Sequence, residues 1–411
     1  MKISKAALLL LCIIFMLCCA ACKDTAVSDT GADTEQSQNP SGDNTENNTN
    51  DNTADNTTNN GDIQTPPVDN TDTNTDNSAP SGDTDNTTEN NPPADQVTPT
   101  PVGNMNPLTG LYDGISDAAL NYRPVAVMIG NSYSALPQQG IGSADIIYEM
   151  LAEGRITRLM AIYQDYTKIE KISGIRSARP YFIDIAQSYG AAFVHFGASE
   201  PAVEQIALRD DLIDIDGIKW PLEEIAFYRD ADIKASLGSE HSVSTNGELL
   251  KVAFDRQTKS LEQTDHPSAF NFSDSSSAAN GNPMTKVQIT YKSNHKPYFV
   301  YDQASGEYLR YQYNQEHIDG LTSEQISVKN VLILRMHLED LDHYLDIVDI
   351  QTVGSGSGYY FCEGKYVEIT WQKDAYNSPI TYYTLDGKEL VCKPGQTFVS
   401  VVTEDNLIEI D

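Results

Sequence analysis

Five of the chain's ten arginines, Arg123, Arg155, Arg158, Arg176 and Arg179, fall within 57 residues, near the histidines His195 and His241 and the carboxylates Asp145, Glu149, Glu153 and Asp184. An arginine presents a rigid fork of five donors that suits a carboxylate or a phosphate, and the first turn of a helix adds unpaired N–H groups and a partial positive charge. Arg176 and Arg179 stand just before a stretch with helical spacing, so together with Arg158, His195 and His241 they define a candidate binding site for an anionic group. The same arginines can instead pair internally with Asp145, Glu149, Glu153 and Asp184, and residue types alone leave both readings open. For catalysis, His195 and His241 with Asp145 or Glu149 are the types an acid/base set needs, and Glu149 with Glu153 the types a glycosidase-like carboxylate pair needs. Ser199, in "GASEP", lacks the second glycine of a nucleophile elbow and is explained by helix capping.

The elements that must position these groups alternate. "PVAVMIG" (124–130), "DIIYEML" (145–151) and "TRLMAIYQ" (157–164) read as buried strands, and Phe182, Ile185, Ala186 and Tyr189 recur at helical spacing between Pro180 and Gly190. "AAFVHFG" is a further strand that carries His195 near its end, where α/β domains present ligand groups, and a helix is predicted from Ser199 with Pro201 in its first turn. Residues 105–270 are therefore expected to form an α/β domain. After "SDSSSAANGNP" come short tyrosine- and valine-rich strands, among them "KVQITY", "YLRYQY" and "NVLILRM", with Asp386-Gly387 as a hairpin turn. Residues 271–411 are expected to form a mostly antiparallel β domain.

The N-terminal end differs in kind. Residues 1–22, "MKISKAALLLLCIIFMLCCAAC", have the charged-then-apolar layout of a secretion signal, and the apolar run is too short to span a membrane comfortably. Ala20 and Ala21 before Cys22 resemble the lipobox of bacterial lipoproteins, which predicts lipidation at Cys22. Residues 23–104 hold 16 acidic side chains against one lysine and no aromatic residue, a composition that cannot offset an ordering cost of about 1–2 kcal/mol per residue and predicts a disordered acidic linker. As a flexible coil it would reach roughly 50 Å.

The remaining head, from residue 105, carries 43 acidic side chains against 24 lysines and arginines. With no basic block it excludes nucleic acid as a partner. His317 with Asp319 and the run "HLEDLDHYLDIVD" (337–349) offer ligand types, but their spacing matches no zinc or calcium loop, so no metal site and a solvated acidic loop are expected. The absence of a P-loop, a dinucleotide fingerprint or a C-x-x-C pair gives no reason to expect a cofactor. Cys362 and Cys392 lie in two predicted strands, and in an oxidising compartment they can form a disulfide; two buried thiols are the other outcome.

The stretches "NPLTGL" (106–111), "RPVAVMI" (123–129), "SADIIYEM" (143–150), "EGRITRLMAIYQ" (153–164) and "IRSARPYFIDIA" (175–186) resemble the YerB-type bacterial lipoproteins, a two-domain family whose domains have no known function. "HID" (317–319), "NVLIL" (330–334) and "ITWQK" (369–373) extend the resemblance through the second half. It implies a lipid-anchored, extracytoplasmic protein typical of Gram-positive bacteria, and it supplies no activity. The expectation is a protein on the extracytoplasmic face of the cell membrane that binds or scaffolds on cell-wall polymer or another envelope protein. The alternative is an envelope hydrolase acting on glycan or peptide through a carboxylate or histidine.

Overall fold

The computed structural model describes residues 103–263, 270–342 and 347–411, so the predicted signal peptide, and the linker apart from its last two residues, lie outside the described residues. The first half supplies strands β1 (Val125–Gly130), β2 (Ile146–Leu151) and β3 (Thr157–Tyr163), helix α1 (Pro180–Ser188), strand β4 (Ala192–His195), helix α2 (Glu200–Ala207) and strand β5 (Asp214–Asp216). Every residue of β1, β2 and β4 is buried, which is why these stretches read as nearly unbroken apolar runs. Pro180 opens α1 at a position whose N–H needs no partner, and Gly190, at φ 62°, lies just beyond its end. Ser199 caps α2 by accepting from Ala202 N.

The second half supplies β6 (Lys286–Thr290), β7 (Tyr298–Asp302), β8 (Glu307–Gln312), β9 (Asn330–Arg335), β10 (Gly354–Cys362), β11 (Lys365–Lys373), β12 (Thr397–Val402) and β13 (Leu407–Ile410). The mixed α/β first half and the mostly antiparallel second half are both as expected. What the sequence does not reveal is that they share a sheet. An 11-stranded sheet runs through β11, β10, β9, β12, β2, β3, β1, β4 and β5, so β12, near the chain's end, lies between β9 and β2. β2 and β12 are parallel, paired from Ile146 with Thr397 to Glu149 with Ser400. A six-stranded sheet built on β8, β7, β6 and β13 packs on this one, with Phe299 of β7 edge-on to Phe398 of β12 at 5.2 Å between centroids.

Residues along β8 alternate between half-buried and buried, so Tyr308, Arg310 and Gln312 point inward. An arginine on the inner face of a packed sheet needs a polar partner, and Arg310 finds its carboxylate in the other half of the chain.

Cys362 and Cys392 are free in the structure and both fully buried, beside the Tyr360 phenol. Burial pushes both thiols up from 9.0.

Candidate functional site

Two polar centres adjoin near the C-terminal end of β2, one around a residue within the strand and one around a residue just past it. The inner one surrounds Glu149. Its Oε2 accepts from Arg310 Nη2 at 2.9 Å, and its Oε1 accepts from Asn131 Nδ2 at 3.0 Å and from the Thr157 hydroxyl at 2.8 Å. His295 Nε2 lies 3.0 Å from Thr157 Oγ1 and 3.2 Å from Glu149 Oε1. Arg310 Nε donates to His317 Nδ1 at 3.0 Å, and His317 Nε2 in turn donates to Gln138 Oε1 at 2.8 Å. Gln138 closes the circuit through Gly130 O and Asn131 Oδ1. Glu149 and Arg310 are both 0 % exposed.

Each ionisation state follows from these partners. Burial alone would raise the Glu149 carboxyl, but the Arg310 charge and hydrogen bonds from His295 and Thr157 outweigh it and hold the group below 4.5. Burial, together with the charges of Arg310 and His295, holds His317 well below 6.5, and the geometry agrees, since a ring nitrogen that accepts from Arg310 carries no proton. His317 and Asp319, expected on a solvated loop, are thus buried. Asp319 accepts from Gly140 N at 2.9 Å, Gly142 N at 2.7 Å and Leu321 N at 2.8 Å, fastening the second half onto the first. Gly140 has φ 87°, and a Cβ there would collide with the Lys171 carbonyl, so only glycine presents its N–H in this way.

The outer centre is a pocket of about 320 Å³ lined by Asn131, Thr157, Glu153, Arg158, Arg176 and His241, among others. Asn131 and Thr157 belong to both centres, forming part of this pocket's wall while bonding Glu149. Glu153 also lines a second pocket, of about 210 Å³, on the side of Arg179 and the start of α1. The Glu153 carboxylate lies between the two arginines, 3.3 Å from Arg158 Nη2 through Oε2 and in contact with Arg179 Nη2 through Oε1. Burial would raise this carboxyl, but the hydrogen bond from Arg179 and the charges of both arginines bring it below 4.5. Arg158 is pushed down to about 10, first by burial and then by the neighbouring charges of Arg179 and Arg176, against the pull of Glu153. Arg176 reaches Glu240, through both its carbonyl at 3.0 Å and its carboxylate at 3.3 Å. His241 is buried, with Nε2 3.1 Å from Glu240 Oε1 and Nδ1 without a partner. Burial is the main cause that holds its ring below 6.5.

The structure therefore brings Arg158, Arg176, Arg179 and His241 together and leaves His195 elsewhere. His195 is fully buried at the end of β4, with Nδ1 2.8 Å from Gly197 O and Nε2 2.7 Å from Asp214 Oδ1. Both ring nitrogens are engaged with acceptors of the strand-end loops, so this side chain fastens β4 to β5 and has no ring nitrogen to offer a ligand. Of the acids weighed for internal pairing, Glu153 does meet Arg158 and Arg179, Asp184 meets Arg209 at 2.9 Å, Glu149 meets Arg310, and Asp145 accepts from Asn106 and Gln164 N. Glu149 and Glu153 are both held below the ordinary carboxyl range, the reverse of what a proton donor requires. The residues that sequence reasoning missed are Arg310, His295 and Gln138, and His317 was considered only as a metal-type ligand. The alternation of β8 was the available signal, because it places Arg310 on the same face as Tyr308.

The chain matches two family models, "Protein of unknown function (DUF3048) N-terminal domain" over residues 108–260 and the corresponding C-terminal domain over residues 287–399. It is 32% identical over 307 residues to "Putative lipoprotein YerB" of Bacillus subtilis (strain 168), an alignment that covers 72% of this chain and 86% of that protein. The chain belongs to this family. The crystal structure of YerB protein from Bacillus subtilis superposes with a TM-score of 0.64 at 28% identity and covers 74% of this chain and 99% of that one. These likenesses support a lipoprotein of unknown function. All residues of the basic pocket fall within the first matched segment, whereas the Glu149 centre draws Glu149, Asn131, Gln138 and Thr157 from the first and His295, Arg310 and His317 from the second.

Proposed function

We propose that this chain is a lipid-anchored protein of the extracytoplasmic face of a bacterial cell membrane that holds an anionic group of a cell-wall polymer or envelope protein in the pocket of Arg158, Arg176 and His241. The leader ending in Ala20-Ala21-Cys22 and the similarity to a lipoprotein support the anchor. The acidic stretch that follows would let the folded part reach roughly 50 Å from the membrane. The observation that carries the binding role is the gathering of three guanidinium groups at a pocket of a strongly acidic head, where burial first and then the charges of Arg179 and Arg176 lower Arg158 to about 10. An anion placed there relieves repulsion that Glu153 and Glu240 only partly offset, and the rigid forks supply directional donors.

The test is co-sedimentation of the full chain, in mild detergent, with purified sacculi, with released fragments measured in the same samples. Retention without release is expected, and Arg158→Gln combined with Arg176→Gln should reduce it at least tenfold. Retention unchanged by that pair of substitutions overturns the pocket, and release of fragments points to a hydrolase instead. The anchor is tested separately, because Cys22→Ala should move the protein from the membrane fraction to the soluble one.

A further inference from the structure

Glu153 occupies a place where an incoming anion would be expected. Its two carboxylate oxygens divide between two guanidinium groups, Oε2 to Arg158 and Oε1 to Arg179, so a planar two-oxygen acceptor already fills the space between the forks. The residue is nevertheless poorly secured. Its side chain is 32 % exposed, and it sits on a one-turn 3₁₀ segment, Glu153–Arg155, whose next two residues both have left-handed backbones, Gly154 at φ 65° and Arg155 at φ 54°. A left-handed arginine is costly, so this turn is strained, and what holds it lies in the other half of the chain. Lys292 Nζ donates to Gly154 O at 3.1 Å, and Arg155 Nη2 meets Asp340 at 3.1 Å on the surface.

The pocket on the other side of this carboxylate is polar in a way its own residues do not satisfy. His241 Nδ1 is buried there without a partner, the Ser132 and Ser134 hydroxyls, 3.0 Å apart, line the same pocket, and Arg179 Nε, beside the second pocket, is likewise buried without a partner. A ligand with one carboxylate and several hydroxyl or amide groups matches this wall: the carboxylate replaces Glu153 between the arginines and the remainder meets the serines and His241.

We infer that Glu153 is an internal stand-in for a ligand carboxylate, displaced from Arg158 and Arg179 when a carboxylate-bearing glycan or peptide enters, a reading that rests on the binding role proposed above. Glu153 then acts as a specificity residue. It keeps the arginines paired in the empty protein and sets a threshold that only a ligand with additional contacts passes, because a lone small anion gains no more than the side chain it displaces.

The experiment compares the full chain with Glu153→Gln and Glu153→Asp for retention on sacculi, native and after carbodiimide amidation of their carboxylates, with thermal unfolding of each variant as a check on folding. Removal of a competing carboxylate of this exposure should raise retention about three- to fivefold in Glu153→Gln, while Glu153→Asp, one methylene shorter and unable to span both arginines, should gain less. Amidated sacculi should lose retention in all three proteins. If the parent chain is retained and Glu153→Gln is unchanged or weaker, the stand-in is wrong and the binding role survives. Retention that persists after amidation overturns the carboxylate as the recognised group. If neither the parent nor Glu153→Gln is retained, the binding role and this inference fail together.

Discussion

Glu149 and Glu153 are four residues apart, one inside β2 and the other just past its end, and each is held by arginine, yet the two settings are physically opposite. Glu149 and Arg310 are sealed between two sheets, and the carboxylate oxygen that Arg310 leaves is met by Asn131, Thr157 and His295. Glu153 is shared by two arginines at the edge of two pockets, and a third, Arg176, stands near Arg158 with Glu240 as its partner, so three guanidinium groups gather around two carboxylates. The first centre has little room for a further ligand and joins the halves of the chain. The second is left electrostatically incomplete at the surface, and an incomplete set of donors is what a binding site requires. The difference teaches that an ion pair's role is set by what completes its coordination, since the residue types are the same in both places.

The largest effect is expected from breaking the sealed pair. Glu149→Leu leaves Arg310 charged and buried, and the cost should be about 3–5 kcal/mol of unfolding free energy. Arg310→Met, which strands the carboxylate, should cost a similar amount. The double substitution should cost clearly less than the sum of the two, because it removes both desolvated charges at once. Denaturant unfolding of the four proteins checks this, and additive losses would show that the pair is not coupled.

A smaller effect comes from protons, and its sign follows from the same centre. His317 is neutral in the folded protein with its affinity for a proton held well below 6.5, whereas the unfolded chain takes up that proton near 6.5. Through this group the unfolded state binds more protons below about pH 6.5, so the contribution of His317 to stability should fall as pH is lowered through that window, by up to about 1.4 kcal/mol per pH unit, whereas Asp145, which burial raises to about 7, contributes with the opposite sign. Glu149 adds to the loss at lower pH, since its folded value lies below 4.5 and the stability it contributes disappears as pH falls through that lowered value. Unfolding of the parent and of His317→Gln between pH 7.5 and 5 checks the first part, because the stability of the parent relative to the variant should fall as the pH is lowered.

The two centres also differ in how legible they were in the sequence. The basic pocket could be anticipated because its arginines are local in the chain and lie beside a helix start that Pro180 marks, and the strands and helices around it follow from apolar runs and helical spacing. The Glu149 centre could not be anticipated, because its members are brought together by contacts such as Glu149 with Arg310, 161 residues apart, and His317 with Gln138, 179 residues apart. Those contacts depend on β12 inserting beside β2, and a parallel pairing between the first and last parts of a chain leaves no local trace in composition or periodicity. His195 was misjudged for a related reason. Its position at a strand end suggests a ligand group, but Asp214 and the Gly197 carbonyl, supplied by the neighbouring strand and by its own loop, consume both ring nitrogens.

The smallest effect is expected at the open centre, and it sharpens the comparison most. Arg179→Ala removes one of two guanidinium groups that share Glu153, in a setting that water reaches, so its cost in stability should be no more than about 1 kcal/mol. That cost should also shrink in 0.5 M salt, where charges at the surface are screened over a few ångströms, while the coupling between Glu149 and Arg310 should not change. Retention on sacculi should respond in the opposite proportion, falling strongly in Arg179→Ala. If Arg179→Ala instead costs several kcal/mol, insensitive to salt, and leaves retention intact, then Arg179 and Glu153 form a structural pair like the inner one, and the contrast between Glu149 and Glu153 dissolves.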